Sequence, residues 1–139
     1  MSKRIKHILT ARAAGWWRRE PLTSAQLLAL RPGRILVVRQ HNQMGDMVCA
    51  TPCFRALRET WPSAEIGLVT APVNEQVVRH NPHLDRVFLF SAALWRRPWR
   101  LLRFLREVRG FRPDLAIVLN SVSFSATSAF LALWSGARW

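Results

Sequence analysis

Residues 40–48 read QHNQMGDMV and follow RILVVRQ, an apolar run from Arg34 with the look of a buried strand. One carboxylate, Asp46, therefore stands beside Gly45 where a strand gives way to a helix. An aspartate there has two readings. It can act as a general base toward a hydroxyl within reach, or it can cap the helix by accepting from free backbone N–H groups. Met44 and Gly45 beside it are candidate substrate-contacting residues, while His41, Asn42 and Gln43 are either polar contacts to a bound molecule or ordinary loop residues. A second polar cluster, Asn120, Ser121 and Ser123, follows the apolar run PDLAIVLN. Its amide and hydroxyls suit a sugar or phosphate, or else they close the strand and cap the next helix. No Gly-x-Gly-x-x-Gly follows the first strand and no Gly-Lys-Ser or Gly-Lys-Thr occurs, so the dinucleotide fingerprint and the P-loop are both absent.

The elements that must position these residues alternate. Apolar runs at 34–40, 64–70, 85–90 and 113–120 predict strands. Helices are expected over 47–61, 73–81, 98 to just short of Gly110, and about 122–135, the last closed by Gly136. In the first, Val48, Pro52, Leu57 and Trp61 are expected on one side, with Pro52 removing a backbone hydrogen bond and bending the helix. In the third, Pro98 suits the first helical position and Leu101, Leu105 and Val108 form the inward stripe. Strands separated by helices predict an α/β fold, a Rossmann-like doubly wound parallel sheet covered on both faces. In the common winding, strands one and four are neighbours, and ligands bind at their carboxyl ends where the order reverses. The loops carrying Asp46 and Asn120 converge there.

Composition is globular, with half of the 139 residues hydrophobic. The net charge of +13 is unevenly placed. Residues 1–33 hold seven basic side chains against Glu20, residues 94–112 hold seven arginines against Glu107, and the remainder is nearly neutral. This divides the chain into a basic amphipathic N-terminal extension, 1–33, and a domain from 34 to 139. Within 94–109, Arg96, Arg97, Arg100 and Arg103 lie beside Trp95 and Trp99. They form either a solvated face or one that meets an anionic membrane surface. No motif of a nucleic-acid-binding fold accompanies the charge, so nucleic acid is not the expected partner. Cys49 and Cys53 match neither a zinc nor a Cys-x-x-Cys redox spacing, and they are expected to be small buried residues of a reducing compartment. KRIK opens the chain without the apolar stretch of a signal peptide, and Val118–Trp134 carries too many polar groups to span a bilayer. The expected location is cytoplasmic, with peripheral contact at the inner membrane.

RILVVRQHNQMGDMVCATPCFRALRETWPSAEIGLVT resembles the opening of glycosyltransferase family 9, the lipopolysaccharide heptosyltransferases. NPHLDRVFLF is similar to that family's approach to strand three, LREVRGFRPDLAIVLNS to its entry to strand four, and SAFLALWSGAR to the helix that follows. The resemblance covers about residues 34–139. It implies the acceptor-side, N-terminal domain of a two-domain GT-B enzyme and inverting transfer of heptose from ADP-heptose to the lipopolysaccharide core. It also implies that no metal or other cofactor is required. Asp46 matches the family's proposed base. The loop from Arg39 to Gly45 is one residue longer than in the familiar members, which leaves His41, Asn42 and Gln43 without assignment.

The family pattern continues beyond the position of Trp139 through the rest of the first domain and a donor-binding domain. The expectation is therefore a partial domain, inactive alone, with an open edge on strand four. The alternative is a non-catalytic basic module that binds an anionic membrane or another polyanion.

Overall fold

The computed structural model describes residues 22–40, 43–119 and 125–139. Residues 22–30 belong to a first unit and contain one short helix, α1 (Ser24–Ala29). It is opened by a reciprocal capping box, in which Thr23 Oγ1 accepts from the Gln26 amide and Gln26 Oε1 accepts from the Thr23 amide.

The second unit, residues 31–139, holds a four-stranded sheet. In chain order it contains β1 (Arg34–Arg39), α2 (Met44–Thr60), β2 (Glu65–Thr70), a 3-10 turn (Pro72–Asn74) leading into α3 (Glu75–Val78), and β3 (Arg86–Leu89). A second 3-10 turn (Ala92–Arg96), α4 (Pro98–Gly110), β4 (Leu115–Val118) and α5 (Ala126–Trp134) complete it. The strands are all parallel in the order β3-β2-β1-β4, so β1 and β4 are neighbours and the winding reverses between them, as expected.

Ile35, Leu36, Val37 and Val38 are fully buried, which explains why β1 is apolar without alternation: both of its faces are covered. On one face Leu36, Val38, Val69 and Phe88 pack with Phe104, Leu105 and Val108 of α4 and Leu131 of α5. By alternation Ile35, Val37, Ile66 and Leu68 point to the other face, crossed by α2 with its buried Met47, Ala50 and Phe54.

Several expectations are corrected. The inward stripe of α2 is Met47, Ala50 and Phe54; of the expected set Val48 and Pro52 are exposed, Leu57 is half-buried, and Trp61, the C-cap, is buried as expected. The apolar residues of this helix occupy more than one face, so periodicity alone could not choose between them. Pro52 does remove the N–H that would bond the Val48 carbonyl, but Thr51 Oγ1 donates to that carbonyl at 2.7 Å. Cys49 and Cys53 are both free and exposed rather than buried. Gly110 is the last helical residue of α4, not the one beyond it. The helix expected over 73–81 is a 3-10 turn and a four-residue α-helix. The outer side of β4 is partly paired, since Ala116 donates to the Trp139 carbonyl and Trp139 donates to that of Asp114. Gly136 does close α5, with φ +78°.

The edge of the sheet remote from the strand carboxyl ends is tied by carboxylates. Asp114 Oδ2 accepts from the amides of Gly33 and Arg34 at 2.8 and 2.9 Å, joining the starts of β1 and β4. Asp85 Oδ2 accepts from the Ile66 amide and from Arg58, whose guanidinium also reaches the Ala64 carbonyl. These contacts fix the strand register from below and leave the upper edge to the site.

Candidate functional site

β1 ends at Arg39, and the chain re-enters described structure at Gln43, the N-cap of α2. Asp46 is thus in the first turn and is not the N-cap, which corrects that reading: Gln43 takes the position and makes no side-chain capping bond. A carboxylate in a first turn still gains from the positive end of the helix dipole. Asp46 Oδ2 lies 3.4 Å from Nη2 of Arg39. The Arg39 side chain is only 7% exposed, whereas that of Asp46 is 41% exposed, so the carboxylate is held from below and open above.

Arg39 has a second task. Its Nη1 donates to the Leu119 carbonyl at 2.7 Å, so one guanidinium links the carboxyl ends of β1 and β4 to the first turn of α2. Gln40 Nε2 donates to Ser125 Oγ at 2.9 Å, and Ser125 caps α5 by accepting from the Ser128 amide.

A cavity of about 280 Å³ opens at this junction, lined by Arg39, Asp46, Cys49, Ala50, Cys53, Val118 and Leu119. On α2 the residues 46, 49, 50 and 53 follow helical spacing, which brings one carboxylate and two thiols onto a common wall. The chemistry on offer is a cation and a carboxylate at the mouth of a mostly apolar recess, suited to orienting a hydroxyl-bearing molecule.

The sequence-predicted residues divide three ways. Asp46 lines the cavity. Met44 and Gly45 are exposed on the same first turn and are not among its lining. Asn120, Ser121 and Ser123, with His41 and Asn42, lie outside the described residues. Arg96 at the end of the second 3-10 turn, Arg97 at the N-cap of α4, and Arg100 and Arg103 within α4 are all exposed and do not line the cavity. Sequence reasoning missed Arg39 and the two cysteines. The signal for Arg39 was a charge closing an otherwise apolar strand; that for the cysteines was their three- and seven-residue spacing from Asp46.

No protein-family model matches the sequence, and no curated protein matches it. Solved structures do. A glycosyltransferase of family 9 from Veillonella parvula DSM 2008 superposes with a TM-score of 0.66 at 24% identity, over 76% of this chain and 30% of its own. The chain shares the fold of that part of the glycosyltransferase. The E. coli ADP-heptose LPS heptosyltransferase II superposes with a TM-score of 0.58 at 23% identity, over 75% of this chain and 28% of its own. The fold is the Rossmann-like α/β layer of these GT-B neighbours, and the chain spans less than a third of their length. None of the described helices is long and apolar enough to cross a membrane.

Proposed function

We propose that this chain forms the acceptor side of an inverting glycosyltransferase of the heptosyltransferase kind, taking ADP-heptose as donor and a lipopolysaccharide core as acceptor. The observation that carries the reading is the open carboxylate of Asp46, paired to buried Arg39 in a recess at the strand switch point. The fold shared with the two glycosyltransferases supports it. In this reading Asp46 accepts the proton of the acceptor hydroxyl as its oxygen bonds to the anomeric carbon. The bond from that carbon to the diphosphate breaks on the opposite side, and ADP leaves with the electron pair, so the anomeric configuration inverts. Arg39 keeps the carboxylate aimed into the recess. The donor is held by a second domain in this reading, and the chain alone is expected to bind acceptor without transferring sugar.

Acceptor binding is testable on the chain itself, because two thiols share the wall with Asp46. A lipid-free core oligosaccharide lacking heptose should slow alkylation of Cys49 and Cys53 by N-ethylmaleimide, and an unrelated oligosaccharide should not. Equal alkylation rates with and without millimolar core oligosaccharide would remove the acceptor reading. In a chain joined to a donor-binding domain, Asp46→Asn should lower transfer roughly 10²–10⁴-fold, the usual range for a positioned base.

A further inference from the structure

Two sets of arginines stand apart among the described residues. Arg34, Arg39, Arg55, Arg58, Arg79 and Arg86 each face a carboxylate. Arg96, Arg97, Arg100, Arg103 and Arg106, all exposed, make no ion pair among the described residues. Glu107 is the one acid between 94 and 112, so the segment presents an unneutralised field.

Large apolar side chains stand in the same face. Trp99 is 82% exposed, Trp95 53%, Phe130 37% and Leu102 36%. On α4, Trp99, Arg103 and Arg106 recur at helical spacing opposite the buried Phe104, Leu105 and Val108, so tryptophan and arginine share the outward stripe. Trp95 and Phe130 are braced by the core. Phe104 packs on Phe90 at 5.4 Å between ring centroids, Phe90 on Trp95 at 6.4 Å, and Trp95 on Phe130 at 6.2 Å. Phe130 in turn stacks on Trp134 at 5.9 Å, with the Arg109 guanidinium 5.7 Å from that ring. At the lower end Arg106, Arg109, Arg112 and Arg138 line an open recess of about 570 Å³, with Asp114 the one acid in its wall.

We infer that this face, formed by the 3-10 turn at Ala92–Arg96, α4 and Phe130 of α5, seats the protein on an anionic lipid surface. Arginine pairs with lipid phosphate in bidentate fashion, and tryptophan prefers the headgroup boundary. Leu102, one turn from Trp99, offers nothing to a nucleic-acid base but enters the acyl boundary readily. The inference goes beyond the transferase reading and does not depend on it. The second 3-10 turn follows the carboxyl end of β3, so the lipid-facing ridge begins at the same sheet edge as the cavity, while α4 covers the opposite sheet face from α2.

The test is co-sedimentation of the full chain with vesicles of phosphatidylcholine alone or with about 30% phosphatidylglycerol. Binding should require the anionic lipid and weaken with salt. Each arginine near such a surface is worth about fivefold, so the triple variant Arg96→Gln, Arg100→Gln, Arg103→Gln should bind roughly a hundredfold more weakly. Trp99→Ala should reduce both affinity and fluorescence quenching by brominated lipid. Far-UV spectra and melting points of the variants should match the parent, because these side chains support no described contact. Unchanged binding by the triple variant would assign any lipid affinity to the basic residues at 3–19 and overturn the inference. Equal binding to phosphatidylcholine alone would overturn it as well. So would displacement from vesicles by a single-stranded oligonucleotide at equal phosphate concentration, which would mark the face as one for nucleic acid.

Discussion

Arg39 and Asp46 touch each other, yet the two should differ sharply when removed. Arg39→Met deletes a guanidinium that is almost wholly buried, together with its 2.7 Å bond to the Leu119 carbonyl. A hydrogen bond from a charged group is worth about 1.5–3 kcal/mol. Methionine retains most of the apolar packing and Leu119 is only half-buried, so water recovers part of the loss and the expected cost is about 2 kcal/mol. For a unit of this size that lowers the melting point by roughly 8 °C. Asp46→Asn keeps the shape and removes only the charge, from a carboxylate that is 41% exposed and 3.4 Å from its partner. Solvent screens such a pair, and it is worth less than about 1 kcal/mol. Arg39 keeps its bond to Leu119, and the open cavity lets water reach its other nitrogen. Urea unfolding followed by far-UV circular dichroism measures both variants and the double variant, whose coupling should also stay below about 1 kcal/mol. A loss of 2 kcal/mol or more in Asp46→Asn would make the aspartate the structural counter-ion of a buried arginine. The case for it as a base would then lose its footing.

Two further variants test the scaffold. A Cβ added at Gly67 would lie 3.0 Å from Phe88 Cε2 and 3.2 Å from two Phe111 ring atoms, so Gly67→Ala should cost about 1–3 kcal/mol by urea unfolding; a neutral result would mean those edge-to-face rings can part. Thr51→Val should cost about 1 kcal/mol, because the Val48 carbonyl loses its donor. The same change should cost much less after Pro52→Ala, which returns a backbone N–H to that carbonyl, and equal costs in both backgrounds would show the hydroxyl bond to be inert.

Much of this architecture was legible in the residues because it depends on pattern. ILVV and LAIV read as strands covered on both sides; Ile35 to Val38 are indeed fully buried, but of LAIV only Leu115 is buried, because β4 lies at the edge of the sheet. Pro98 marks a helix start because its fixed φ already suits the first helical position, where its missing N–H is not needed, and Gly136 marks a helix end through a positive φ that other residues enter with difficulty. Several motifs behind the family resemblance turn out to hold joints of the scaffold. Asp85 ties β2 and Arg58 together, and the Asp114 carboxylate bridges to Gly33 and Arg34, both at the sheet edge away from Asp46. Shared scaffold is therefore what such motifs report most directly.

The sequence by itself determined the alternation of strands and helices, the parallel winding with its switch between β1 and β4, and the placement of Asp46 at that switch. These follow from hydrophobic periodicity, chain-break residues and the handedness of crossovers, all of which act locally or through topology. Only the tertiary structure decided which face of α2 turns inward, because Val48, Pro52 and the cysteines are as apolar as the residues that are buried. It also brought Arg39 to Leu119, 80 residues away, and moved Asp46 from the cap to the first turn facing that arginine. Which groups share a cavity depends on how three elements meet at the end of a sheet, and no spacing along one chain segment contains that information.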